Sequence, residues 1–268
     1  MSVLHLEGGP LPGAEVVGGK ARGLAVLLGL GLPVPPAVVL TTDAHSRFRE
    51  QGSLDEADRA ALLATLDRLG EPLAVRSSAA DEDAGDRSAA GQYDSVMGLS
   101  GPEAVVAAVE HCWREAESGR ALAYRDGAAA SVALVVQREV PADRAGIAFS
   151  ADPVTGADSA VLIEAVFGHG AGAVGGAITP DRYRVERDSG AVSARLADKS
   201  GAADGSGELS PLPPERRTAR VLRDDEARAV ARLAETAEDG LGGPVDVEFC
   251  FARGELWAVQ CRPITAAS

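Results

Sequence analysis

Cysteine is scarce in this 268-residue chain, and the few that occur are not grouped. Cys112, Cys250 and Cys261 show no CxxC pair or other metal-ligand spacing, which excludes a cysteine-based zinc site. Cys250 and Cys261 also fall in apolar, strand-like runs, so we expect buried, reduced thiols. A disulfide framework is therefore not expected.

Basic charge is also limited, because lysine is rare and the formal net charge is −14. Binding to nucleic acid needs a basic face, so this balance argues against a nucleic-acid partner. A cationic small substrate is compatible with it, but so is the plain solubility of an acidic protein.

The chain lacks a long uninterrupted apolar run. Residues Leu24 to Thr42 carry no charge, but Pro33, Pro35 and Pro36 divide them, so we expect a helix, a turn and a strand rather than a membrane span. Met1–Glu7 does not contain the basic and apolar regions of a signal peptide. We therefore predict a cytoplasmic protein without a membrane partner.

Apolar periodicity predicts an α+β protein of two lobes. The predicted helices are Ala21–Leu30, Leu54–Leu69, Glu103–Gly119 and Asp224–Glu238. The predicted strands are Ala37–Leu40, Leu73–Arg76, Val132–Gln137, Ala145–Phe149, Ala160–Val166 and Tyr183–Val185. Residues 197–217 are rich in Gly, Ser and Pro and predict an exposed, mobile loop. The change of character near residue 130 predicts lobes at 1–130 and 131–268.

Two segments of the first lobe contain candidate phosphate contacts. Gly18-Gly19-Lys20 at a helix start can bring backbone N–H groups and an ammonium to a phosphate, although, taken alone, a glycine turn with a solvated lysine is the simpler explanation. Arg76 ends a strand and opens a loop of small residues, so it can clamp a phosphate. Its alternative partner is the acidic segment Asp81-Glu82-Asp83.

Two segments of the second lobe contain further candidate contacts for a nucleotide. Gln137-Arg138-Glu139-Val140 follows a strand, whose end can present polar groups to an adenine edge or be an ordinary strand terminus. Glu164 precedes the glycine-rich segment 168–176, in which His169 could be a base or a phosphate contact. A lone histidine is more often polar surface.

The last 25 residues contain two polar pairs on predicted neighbouring strands. Asp246 and Glu248 are spaced i, i+2, and so are Gln260 and Arg262. Two carboxylates and an amide on one face offer the oxygen ligands that Mg²⁺ prefers, and the arginine suits a phosphate.

These segments, taken in order, closely resemble the N-terminal ATP-binding domain of the phosphoenolpyruvate synthase, pyruvate phosphate dikinase and rifampin phosphotransferase family. The matching motifs are Gly-Gly-Lys, Val-Arg-Ser-Ser, Val-Gln-x-x-Val, Thr-Pro-Asp, Asp-x-Glu and Gln-x-Arg-Pro-Ile-Thr. The resemblance covers essentially the whole chain. It implies an ATP-grasp fold, in which two lobes close on Mg-ATP, and it names ATP and Mg²⁺ as cofactors.

The resemblance also implies roles for individual residues. Lys20 and Arg76 would hold the triphosphate, and Ser95 falls where the family often has a threonine near the phosphates. Gln137, Glu139 and Val140 would face adenine, although the family commonly has methionine at the position of Glu139.

In the tail, the resemblance makes Glu248 and Gln260 the magnesium ligands and Arg262 a phosphate contact. Asp246 would be a further ligand or a group that orients one. The family's Gly-Leu-Gly-Glu reads Gly168-His169-Gly170-Ala171 here, so a carboxylate is replaced and a histidine is added.

Family enzymes pass phosphate to a histidine on another domain, and none of the four histidines here lies in a Thr-x-His-Ala motif. We therefore expect a phosphotransferase that moves a phosphoryl group directly from Mg-ATP to a small-molecule hydroxyl, with Lys20, Arg76, His169 and Arg262 as catalytic residues. An acidic cleft would suit a cationic acceptor such as an amino-sugar antibiotic. The alternative is the ATP-binding subunit of a split dikinase, whose phosphohistidine domain is a partner protein.

Overall fold

The computed structural model describes residues 2–79, 95–117, 131–170, 178–205 and 207–264. The chain divides into two compact units. The first comprises Met1–Ala25 and Pro35–Glu139, and the second comprises Val26–Val34 and Val140–Ser268.

Helices and strands are interspersed along the chain. The helices are α1 Ala14–Gly29, α2 Thr42–Gln51, α3 Glu56–Leu69, α4 Pro102–Ala116, α5 Pro214–Arg217 and α6 Asp224–Leu241. The first strands are β1 Val3–His5, β2 Ala37–Leu40, β3 Leu73–Ser78, β4 Ser95–Leu99 and β5 Ala133–Arg138. The later ones are β6 Arg144–Phe149, β7 Ala160–Phe167, β8 Asp181–Glu186, β9 Val192–Arg195, β10 Gly201–Ala203, β11 Leu209–Pro211, β12 Val245–Ala252 and β13 Glu255–Pro263. The predicted mixture of α and β structure is confirmed.

The first unit contains an antiparallel sheet with the strand order β1-β2-β5-β3-β4. Strand β5 is apolar and buried along nearly its whole length, as expected for a strand with neighbours on both edges. Helix α4 packs against β3 and β4 and buries Val105, Val109 and Trp113. The indole N–H of Trp113 donates to the carbonyl of Val132, so this large ring is buried with its polar atom bonded.

The second unit contains a six-stranded antiparallel sheet with the order β13-β12-β6-β7-β8-β9. Helix α6 contacts all six strands. The cross-strand row Val247, Ala148, Ile163 and Tyr183 is buried on the side of α6. Because side chains alternate along a strand, the even-numbered residues of β12 point to the opposite face, which we call the distal face.

Two sequence-based expectations differ from the structure. The predicted loop 197–217 instead contains β10, β11 and α5, and Lys199 within it has no exposed surface. The sequence predicts a lobe boundary near residue 130, whereas the second compact unit begins its main part at Val140 and also includes Val26–Val34. The reason is that β5 pairs with β2 and β3 in the first sheet.

Within the described ranges, no helix combines the length and apolar character needed to cross a bilayer.

Candidate functional site

The polar pairs of the tail lie directly opposite each other on β12 and β13. Glu248 pairs with Gln260, and Asp246 pairs with Arg262. Residues directly opposite in an antiparallel ladder share a face, so all four side chains lie on the distal face. The sequence-predicted tail site is therefore brought together by strand register.

Asp246 and Arg262 form an ion pair within this group. The guanidinium Nε of Arg262 donates to both carboxylate oxygens of Asp246, at 2.9 and 2.7 Å. Asp246 is only 6% exposed, whereas Arg262 remains partly accessible. A buried carboxylate that holds a guanidinium fixes its direction. This contact favours an orienting role for Asp246 over direct ligation of a metal.

Glu248 and Gln260 offer oxygen atoms of the kind that Mg²⁺ binds. Among the residues that the structure describes, no group of three or more His, Cys, Asp or Glu side chains could hold a metal alone. Mg²⁺ in nucleotide enzymes is commonly held by one or two carboxylates together with substrate phosphates. The donor set therefore fits a magnesium ion that arrives with a nucleotide, and does not fit a protein-only cage.

An apolar patch formed by β12, β13, β6 and the residue Val140 adjoins these polar pairs. Val140, Ala145 and Cys250 are buried there, and Trp257 packs against them. Burial raises the pKa of the Cys250 thiol to about 12. The patch offers the kind of surface on which a flat, apolar ring packs.

In the first unit, the end of β3 holds the start of the helix that carries Lys20. Gly18 interrupts α1 with φ 75° and ψ 169°. The N–H of Gly19 donates to the carbonyl of Ala79 at 3.0 Å, and the N–H of Ala21 donates to the hydroxyl of Ser78 at 3.2 Å. One of the amides predicted to bind phosphate, that of Gly19, is therefore already engaged, and so is the amide of Ala21 that follows this segment. Lys20, partly exposed beside them, is the remaining predicted phosphate contact of this segment.

We expect Gly18→Ala to disrupt this segment. The added Cβ would overlap the backbone carbonyl of Ser78, and the positive φ is itself unfavourable for alanine. Gly31→Ala is a matched control, because Gly31 also has positive φ but has open space around it. Strain alone costs about 1–2 kcal/mol. Urea unfolding should show a clearly larger loss for Gly18→Ala, with weakened ATP binding; equal losses would contradict the close contact.

Arg76 and Ser95 lie directly opposite each other on β3 and β4. Their side chains therefore share a face, with Ser95 exposed on the edge strand. The structure thus brings these two predicted phosphate contacts together.

Glu139 is bonded to strand β4 of the same unit. Its carboxylate accepts a hydrogen bond of 2.6 Å from the N–H of Gly98, and its own N–H donates to the carbonyl of Pro72. These bonds already engage the side chain and the N–H of Glu139. Its contact with adenine remains a prediction.

Gln137 is buried with an unsatisfied polar atom. It is 4% exposed, and its Nε2 has no hydrogen-bond partner among the described residues. A buried donor without an acceptor costs about 1–3 kcal/mol, so such groups usually serve a ligand or a water. A ring nitrogen of adenine is an acceptor of the required kind, and this observation fits the predicted nucleotide.

His169 makes contacts within the second unit. The N–H of Ala142 donates to its Nε2 at 3.4 Å, and its own N–H donates to the carbonyl of Ala203. The first bond occupies a lone pair that a general base would use. Ala171 and the acidic segment Asp81-Glu82-Asp83, the alternative partner predicted for Arg76, lie outside the described residues.

Sequence reasoning missed a buried ion pair in the second unit. Lys199 Nζ lies 2.6 Å from Asp181 Oδ1, and neither side chain has exposed surface. Asp181 also accepts from the N–H groups of Ala197 and Val221 and from the hydroxyl of Tyr183. One signal was present: the chain contains only two lysines, Lys20 and Lys199.

The chain belongs to the family described as pyruvate phosphate dikinase, AMP/ATP-binding domain, whose model matches residues 59–268. The predicted family is therefore confirmed, and the matching region is an ATP-binding domain.

Three relatives illustrate the range of the family. The prodigiosin synthesizing transferase PigC of Serratia marcescens is 35% identical over 98% of this chain. A probable phosphoenolpyruvate synthase of Methanocaldococcus jannaschii is 32% identical over 94%, and the rifampicin phosphotransferase of Bacillus subtilis is 34% identical over 75%. The chain spans 33%, 26% and 24% of these relatives, respectively.

Among solved structures, the D-alanine–D-alanine ligase of Bacillus anthracis is similar with a TM-score of 0.47 and 10% identity. The match covers 93% of this chain and 57% of the ligase. A similarity this low adds nothing to the family assignment.

Proposed function

We propose that this chain binds Mg-ATP and transfers a phosphoryl group from it directly to the hydroxyl of a small molecule. The observation that carries the proposal is the direct pairing of Glu248 with Gln260, beside the Asp246–Arg262 ion pair, on one face of β12 and β13. An oxygen-ligand pair next to an oriented guanidinium suits a metal-bound phosphate. A cytoplasmic location, where Mg-ATP is available, belongs to the same proposal.

The nucleotide-binding residues of the proposal come from both units. Lys20 and Arg76, with Ser95, would bind phosphate oxygens. Glu248 and Gln260 would hold the magnesium ion, which would offset the negative charge of the phosphates. Gln137, Glu139 and Val140 would contact adenine, and the unsatisfied Nε2 of Gln137 supports this most directly.

In the proposed step, the bond between Pγ and the β,γ-bridging oxygen breaks, and its electron pair leaves with ADP. A bond forms between the acceptor oxygen and Pγ, and the hydroxyl proton passes to a base. Lys20, Arg76 and Arg262 would stabilise the charge on the transferring group. Among the described residues, His169 is the proposed base. It would accept the proton at Nε2 after the hydrogen bond from the N–H of Ala142 breaks.

The relatives differ in what their names say they act on. Rifampicin phosphotransferase and the prodigiosin transferase are named for small molecules, which supports a small-molecule acceptor for this chain. The phosphoenolpyruvate synthases and the family name support the alternative, in which a phosphohistidine domain on a partner protein receives the phosphoryl group.

A product assay separates the two functions. The isolated chain is incubated with Mg-ATP and a panel of hydroxylated small molecules, and ADP, AMP and phosphate are resolved. Direct transfer predicts acceptor-dependent ADP in equal amount to the phosphorylated product. AMP and phosphate that form only after addition of a histidine-bearing partner would favour the alternative and contradict direct transfer.

A further inference from the structure

The second unit contains a cavity of about 490 Å³ on the distal face of its sheet. Side chains of β6, β7, β8 and β9 and the loop 152–154 line it. No residue proposed above for nucleotide or metal binding is among its lining residues.

Strand register relates the cavity to the candidate phosphate contact. The cross-strand row that begins with Arg262 and Asp246 continues through Phe149, Leu162 and Arg184. Phe149, Leu162 and Arg184 line the cavity. The apolar patch around Cys250 and Trp257 lies in the other direction along β12, beyond Glu248. The cavity therefore lies beside the phosphate end of the proposed nucleotide site rather than its adenine end.

The floor of the cavity is apolar, and its rim carries three arginines. Phe149 and Leu162 are half-buried in the floor, and Val154 in the adjoining loop is 90% exposed. Arg182, Arg184 and Arg195 are at the rim. The lining also includes the carboxylates of Asp152 and Glu164.

The carboxylates near these arginines are already engaged. Glu164 pairs with Arg182 at 2.9 Å, and Glu186 pairs with Arg184 at 2.7 Å. Asp152 accepts hydrogen bonds from the N–H groups of Val154 and Thr155, which lower the pKa of its carboxyl. Each of these three carboxylates is therefore bound by a group other than Arg195.

Arg195 and Arg182 lie directly opposite each other on β9 and β8, on the same face. Like charges at such a position repel each other and destabilise the pair. Glu164 offsets the charge of Arg182 from β7, so an anionic group bound at Arg195 would relieve the repulsion that remains. A guanidinium binds a carboxylate with two parallel hydrogen bonds.

We propose that this cavity binds the phosphoryl acceptor, and that the acceptor is a hydroxy acid with a flat apolar body. This assignment rests on the proposed phosphotransferase function. The body packs on Phe149 and Leu162, the acid group binds Arg195 and Arg182, and the hydroxyl points toward Asp246 and Arg262. The charge of such an acid is opposite to that of the cationic acceptor that the net charge of the chain suggests.

A matched series of phenols tests the charge preference. 3-(4-Hydroxyphenyl)propionate, tyrosol and tyramine share a phenol and a short chain but end in a negative, a neutral and a positive group. Binding of each to the full chain is measured by saturation-transfer NMR and titration calorimetry. We expect the propionate to bind about tenfold more tightly than tyramine, with tyrosol between them.

The variant Arg195→Gln tests the residue. It should weaken binding of the propionate about fivefold and leave tyrosol unchanged. Arg232→Gln makes the same change at an exposed arginine of α6 and should have no effect. Tyramine binding as tightly as the propionate, or an Arg195→Gln variant with unchanged affinity, would overturn the assignment.

The experiment also separates this assignment from the proposed function. If the propionate binds through Arg195 but no acceptor yields ADP, the cavity is an acid-binding site and direct transfer fails. If ADP forms with acceptors regardless of their charge, direct transfer stands and the assignment of the cavity fails.

Discussion

Replacement of Glu248 by glutamine should abolish the Mg-ATP chemistry of this chain while leaving its fold intact. The substitution keeps the shape of the side chain. It removes the carboxylate of Glu248, which lies directly opposite Gln260. Removal of one preorganised electrostatic group costs about 10²–10³-fold in rate, and loss of a metal ligand acts at that scale or above. Turnover and Mg²⁺-dependent nucleotide binding are both measured, so the test applies whichever acceptor is used.

Glu235→Gln provides the matched control, because it makes the same change on α6. It should change neither readout. Nucleotide binding in the absence of Mg²⁺ should survive in Glu248→Gln, because the phosphate and adenine contacts are untouched. Activity of Glu248→Gln within about threefold of the parent, with an unchanged Mg²⁺ requirement, would refute the assigned metal role.

Replacement of Lys199 by methionine should be the most destabilising of the changes considered. It leaves the carboxylate of Asp181 charged and fully buried, although three other donors still bond to it. Breaking a buried pair by removing one partner costs about 3–5 kcal/mol. The free energy of unfolding from urea titration measures this effect.

Two further variants identify the cause. Arg217→Met breaks the exposed pair with Asp198 in the same segment, which should cost about 0–1 kcal/mol. The double variant Asp181→Asn with Lys199→Met removes both charges, so it should lose less than the sum of the single changes. Additive losses would show that the pair does not act as a unit.

The pattern of the tail could be predicted because it is local. The spacing i, i+2 on each of two strands places Asp246 with Glu248 and Gln260 with Arg262, whatever the exact pairing. The helices α3, α4 and α6 were predicted for the same reason, since their apolar residues recur at helical spacing.

Partners distant in sequence could not be predicted. The apolar residues of β5 predict a buried strand, but they do not indicate that it pairs with β2 and β3 of the first sheet. Lys199 lies in a segment of loop-like composition, and its partner Asp181 is 18 residues away. Burial of that lysine follows from tertiary packing, which composition does not report.

The site also depends on one extra residue in β13. The pairing of β12 with β13 shifts between Glu248 and Phe249, so that Phe249 pairs with Ala258 and Val259 is left over. The shift lets the odd-numbered Trp257 share a face with the even-numbered Gln260 and Arg262. Substitutions at Val259 can preserve this arrangement, but a one-residue deletion there would turn either the indole or the polar pair to the other side of the sheet. In this hairpin the number of residues matters as much as their identity.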